Sequence, residues 1–94
     1  MERKVSLYIL LPEYNYRINF LVPQSMSIST MLKLVCRALL KTGVPIKSDV
    51  TYSFVSMANG KLISFDKSIY DSGITDGCEL LLIRRFTWLK SELI

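Results

Sequence analysis

Between residues 27 and 43 (SISTMLKLVCRALLKTG) the apolar residues Ile28, Met31, Leu32, Val35, Ala38 and Leu39 recur at spacings of three and four. That spacing places them on one stripe of a helix, and the stripe needs a cover. Ser27 precedes the run as an N-cap able to satisfy one of the orphan N–H groups of the first turn. Gly43 stands where a left-handed residue closes a helix, and Pro45 prevents its continuation.

The remaining apolar segments have the period of strands. Residues 4–11 (KVSLYILL) put Val5, Leu7, Ile9 and Leu11 on one face and Lys4, Ser6 and Tyr8 on the other, and Pro12 ends the run. After the turn PEYN, residues 16–22 place Ile18, Phe20 and Val22 inward and Arg17 and Asn19 outward, which predicts an antiparallel hairpin closed by Pro23. Residues 51–57 (TYSFVSM) are rich in β-branched and aromatic side chains; Asn59-Gly60 suits a type I′ turn, so residues 61–64 are expected to return as a short strand. Residues 66–72 are more polar and suit a short helical turn with Ile69 and Tyr70 inward; Asp76-Gly77 then turns the chain into a last strand over 78–85 (CELLLIRR).

The order β-β-α-β-β-β predicts an α+β domain over residues 1–85, with a sheet packed on one helix, followed by an apolar tail over 86–94. A chain of 94 residues is one domain, near the lower end of sizes that bury a core without disulfides or a metal. Half of its residues are hydrophobic, which argues for a compact globule. No apolar run approaches the roughly 20 residues needed to cross a bilayer, and the N-terminus has no signal-peptide cleavage pattern; a cytoplasmic location is expected. Cys36 and Cys78 lack metal-site spacing, and no histidine is present to complete a zinc site, so both are read as reduced, packed thiols. The net charge of +4 by itself implies little about nucleic acid.

This layout resembles the ubiquitin-like β-grasp fold, in which the first and last strands lie side by side and parallel at the sheet centre; the resemblance implies a mixed sheet packed on the one helix. Within that superfamily the opening YILLPEYNYRINFLVP, the helix after it and SIYDSGITDGCELLLI resemble the YukD/EsaB group. These are small bacterial ubiquitin-like proteins encoded with type VII (ESX-type) secretion systems. The best local match is residues 71–82, DSGITDGCELLL, and the Tyr14-Asn15-Tyr16 turn narrows the choice. The family's conjugating members end in two glycines, whereas this chain ends FTWLKSELI, so covalent conjugation is not expected.

Catalysis is not expected: there is no histidine and no carboxylate cluster, and Asp66, Asp71 and Asp76 fall where turn and cap roles are ordinary. No glycine-rich phosphate loop is present, and neither a cofactor nor a metal is expected. Lys33, Arg37 and Lys41 form a basic stripe on the helix opposite its apolar face. Its ordinary reading is a solvated face and its functional reading is contact with an acidic partner; membrane phosphate or nucleic acid is the minor reading, RNA being disfavoured because the helix interleaves no aromatic residue with the charges. On the last strand, Leu80 and Leu82 are expected to face the helix, which turns Leu81 and Ile83 outward beside Val55 and Met57. The resemblance implies a recognition patch on this outer face. The tail carries Phe86, Trp88 and Leu89, with Leu93 and Ile94 beyond, and its cover is either that same patch, a second copy of the chain or a partner.

The resulting expectation is a non-enzymatic protein–protein interaction module, an accessory or regulatory component of a type VII secretion system, with homo-oligomerisation through the tail as an option. The alternative is a ubiquitin-like auxiliary subunit of a multicomponent enzyme such as a bacterial diiron monooxygenase.

Overall fold

The computed structural model describes residues 3–47 and 50–85. Strands β1 (Lys4–Leu11) and β2 (Tyr16–Pro23) form the opening hairpin, α1 (Ile28–Lys41) crosses one face, and β3 (Thr51–Ser56) and β4 (Cys78–Arg85) complete a four-stranded sheet of order β2-β1-β4-β3. β1 and β4 run parallel at the centre, with Leu7 opposite Cys78 and Ile9 opposite Leu80; the two outer pairings are antiparallel.

The period of each segment decides what it buries. Val5, Leu7, Ile9 and Leu11 of β1, Phe54 of β3 and Leu80 and Leu82 of β4 face Ile28, Met31, Val35 and Leu39 of α1 and form a continuous core with them. Leu7, Ile9, Val35, Leu39, Phe54 and Leu80 are fully buried. Burial of each such side chain contributes roughly 1.5–3 kcal/mol, so the helix is held by its stripe more than by its own propensity.

Both helix ends carry their expected caps. Ser27 Oγ accepts the N–H of Thr30 at 3.2 Å. At the other end Gly43 has φ +90°, its N–H reaches the carbonyl of Leu40, and the N–H of Val44 reaches that of Leu39. This pair of bonds is a Schellman closure, with Val44 buried beside Leu39 in the core.

Three expectations need correction. The strand over 61–64 shrinks to a single bridge between Leu62 and Val55. The chain leaves the sheet there because the carbonyls of Phe65 and Lys67 accept the first N–H groups of α1, those of Ser29 and Ile28, which have no partner inside the helix. Asn59-Gly60 does not form a type I′ turn, which needs positive φ at both residues: Gly60 alone has it, and the loop spans 57–60. Asn59 instead accepts the N–H of Lys61 through its side-chain oxygen, and the N–H of Gly60 reaches the carbonyl of Ser56. In residues 66–72 the N–H of Ser72 does close one turn onto Ser68, and Ile69 is buried, but Tyr70 is exposed. The backbone N–H groups of both Ile69 and Tyr70 bond to carbonyls of 24–26, which fixes the segment with only one of the two side chains inward.

Candidate functional site

On the solvent side of the sheet, alternation leaves every second residue of each strand away from α1. The parallel register sets Leu10 of β1 opposite Leu81 of β4, and the antiparallel register sets Leu81 opposite Val55 of β3. Val55 in turn bridges Leu62. Four apolar side chains thus form one row across four adjacent backbone segments, roughly 15 Å long at the usual strand spacing. Leu10, Val55 and Leu81 are half-buried, whereas Leu62 is 55% exposed.

Ile83 flanks this row, half-buried and opposite Ser53. Ser53 is the one buried polar side chain among the described residues, and its hydroxyl has no hydrogen-bond partner among them. Met57, expected at the end of a strand, lies in the 57–60 loop; its N–H still donates to the carbonyl of Glu79, and its side chain is half exposed. Leu81, Ile83 and Val55 therefore share the face, with Met57 at its edge. Leu10 and Leu62 complete the row and were not among the residues singled out from the sequence. The apolar run at the end of β1 is the signal for Leu10, but only the pairing with β4 sets it beside Leu81.

One end of the patch is charged. The Arg17 guanidinium lies 4.1 Å over the ring of Tyr8 and 3.6 Å from the Glu79 carboxylate. Arg84, which shares the parity of Leu80 and Leu82 and so lies off this face, pairs with Glu13 at 2.6 Å. Surface pairs of this kind contribute about 0–1 kcal/mol each, and they act more on orientation and partner choice than on stability.

Lys33, Arg37 and Lys41 are all exposed on α1, on the helix side of the sheet and away from the Leu81 row. They do not join the patch. No ion pair among the described residues involves them. Phe86, Trp88 and Leu89, with the rest of the tail, lie outside the described residues. Cys36 and Cys78 are free thiols on different elements. Burial pushes the Cys36 thiol above its ordinary range. Burial does the same for Cys78, helped by the charge of Glu79 and partly offset by a hydrogen bond with the backbone of Thr75.

Asp66 and Asp76 use their carboxylates in structural hydrogen bonds, and Asp71 its backbone N–H. Asp76 Oδ1 accepts the backbone N–H of Ser6 at 2.8 Å. The Ser64 hydroxyl donates to Asp66 and holds that carboxyl below its usual range. The N–H of Asp71 caps onto Ser68 Oγ. Among the described residues no group of three acidic, cysteine or histidine side chains converges on a metal position, and no helix is long and apolar enough to cross a membrane.

No protein-family description matches this chain, and no curated protein matches it in sequence. Its backbone, in contrast, is similar to many solved structures. The EccD5 ubiquitin-like domain from Mycobacterium xenopi superposes with a TM-score of 0.68 at 20% identity, over 88% of this chain and 96% of that one. The ubiquitin-like domain of the Mycobacterium tuberculosis type VII secretion system protein EccD1 superposes at 0.66 and 15% identity, over 86% and 98%. Caldiarchaeum subterraneum ubiquitin gives 0.70 at 17% identity, over 90% and 98%. With the parallel β1–β4 centre, the single helix across one face and these superpositions, the chain has the ubiquitin-like β-grasp fold.

Proposed function

We propose that this protein is a non-enzymatic interaction module of a type VII secretion system, of the YukD/EsaB kind, which docks on another protein of that system through the outer face of its sheet. The observation that carries the docking is the row Leu10, Leu81, Val55 and Leu62, an apolar strip on the solvent side with a charged group of Arg17, Tyr8 and Glu79 at one end. An apolar centre with a polar rim is the usual anatomy of a protein interface. The likeness to two EccD ubiquitin-like domains supports the choice of system. The structural hydrogen bonds of the Asp66 and Asp76 carboxylates, in a chain without histidine, support a binding role over a catalytic one.

The test is affinity capture of the tagged chain from native cytoplasmic and membrane fractions, in parallel with a Leu81→Ser/Ile83→Ser variant. A secretion-system protein retained by the parent and lost by the variant is the expected result. Retention by both would remove the outer face from the interaction. Capture of hydroxylase subunits instead would move the protein to the multicomponent-enzyme class.

A further inference from the structure

On the helix side of the sheet a second concavity of about 740 Å³ opens between α1 and the chain that follows it. One wall is Leu32, Cys36 and Leu40 of α1; the other is Ile46 and Val50, with Phe65 and Tyr52 between the two. Leu40, on the exposed rim, is 54% accessible. Three cations stand around this apolar floor. Lys33 and Arg37 rise from α1 and Lys47 from the opposite wall; Asp49, between Lys47 and Val50 in sequence, lies outside the described residues. Lys41, the third residue of the basic stripe, is not part of the lining.

We infer that this groove is a docking site for an acidic amphipathic helix of a partner protein. Charge complementarity selects the sign: the rim offers three positive groups on two sides of an apolar trough, so an occupant with carboxylates flanking an apolar stripe meets all of them. A single-headed anionic amphiphile neutralises only one. The two-sided rim suits a helix, whose apolar stripe is bordered by polar residues on both flanks. The helical wall has its N–H and C=O groups bonded internally, the N–H of Lys47 is taken by the Tyr52 hydroxyl at 3.3 Å, and that of Ile46 by the carbonyl of Val44. These backbone groups are taken, so the α1 wall and residues 46–47 offer side-chain contacts, which a helix with its own backbone satisfied can use. The site lies across the sheet from the Leu81 row, so the inference stands apart from the docking proposed there, and together the two faces make the domain a bridge between two partners.

The probe is a synthetic helical peptide with leucines at i, i+3, i+4 and i+7 and glutamates on both flanks, titrated into the isotopically labelled full chain and followed by amide chemical shifts. The expected result is saturable binding, with a Kd on the order of 0.1 mM, shifts centred on Leu32, Cys36, Leu40, Ile46 and Val50, and none at Leu81 or Ile83. Lys33→Gln/Arg37→Gln/Lys47→Gln, all at exposed positions, should keep the fold and weaken binding about tenfold at low salt. Leu40→Ser should weaken it through the apolar wall. Equal binding of the same peptide with lysine in place of glutamate overturns the inference, as does the absence of saturation at about 1 mM. Binding of anionic vesicles at the same residues, without response to the peptide, assigns the groove to a membrane surface and overturns it too. Nuclear Overhauser contacts from the Trp88 indole to the groove in the free protein would make the chain's own tail the occupant, which also removes the partner segment.

Discussion

The Asp76 carboxylate holds the backbone of Ser6, seventy residues away: Asp76 Oδ1 accepts the Ser6 N–H at 2.8 Å, and the Ser6 carbonyl accepts the N–H of the next residue, Gly77, at 2.8 Å. This pair of bonds sits one step before the first parallel partners, Leu7 and Cys78, and so starts the central β1–β4 register. A parallel ladder has no hairpin to set its register, which gives this contact more weight than an exposed hydrogen bond usually has. Asp76→Ala should cost about 1–2 kcal/mol, read as a lower urea midpoint at unchanged slope. Asp76→Asn, which keeps the acceptor oxygen, should cost less. Equal midpoints for all three proteins would show that the register is held elsewhere.

Gly43 closes α1 at φ +90°, and a β-carbon added there meets no atom within 4 Å. Gly43→Ala therefore tests backbone strain with no steric clash. It should destabilise by roughly 1–2 kcal/mol, and Gly43→Asn by less, because asparagine enters the left-handed region more readily. A Gly43→Ala protein that melts with the parent would contradict the Schellman closure.

Val35 on α1 and Leu82 on β4 are both buried in the core between helix and sheet, at 0% and 4% exposure. Replacing either by alanine should cost ~2–4 kcal/mol through lost transfer energy and the cavity left behind. Chemical denaturation of the two variants checks this. Losses near zero would mean that the helix does not sit on the sheet in this register.

Burial raises the pKa of both thiols, so each holds less thiolate at neutral pH than an ordinary cysteine. Alkylation of Cys36 and Cys78, followed site by site by mass spectrometry, should be slower than that of glutathione and should rise at more alkaline pH. Cys36 lies in the groove wall, so the acidic peptide probe should slow its reaction and leave Cys78 unaffected. Alkylation of Cys36 as fast as glutathione would refute the buried thiol.

The described residues by themselves make a continuous core from Val5 to Leu82, and β4 ends at Arg85. A chain truncated after Arg85 should therefore keep its far-ultraviolet circular dichroism and a cooperative melt. A change in elution volume or in partner capture would then assign the tail an interaction role. Loss of the cooperative melt would make the tail part of the fold.

Local rules carried most of this fold. Alternation in 4–11 and 16–22, the apolar stripe and capping residues of 27–43, and the Asp76-Gly77 turn each act within a few residues, and each element built on them stands where those signals place it. The short strand over 61–64 failed for a non-local reason: its backbone was diverted by the unsatisfied N–H groups of a helix more than thirty residues earlier. Tyr70 has the same cause, since the bonds that its segment makes to 24–26 fix which side chain points inward. The candidate sites divide in the same way. Leu81, Ile83 and Val55 are legible from period two alone, but their union with Leu10 and Leu62 requires the β1–β4 register and the bridge at Val55. Lys33 and Arg37 are legible as a charged stripe, while the apolar trough they guard, and Lys47 across it, exist only because the chain after Gly43 folds back along α1. Periodicity along the chain determines which face a residue takes; tertiary structure alone decides which faces meet, because that depends on backbone groups finding partners far away in sequence.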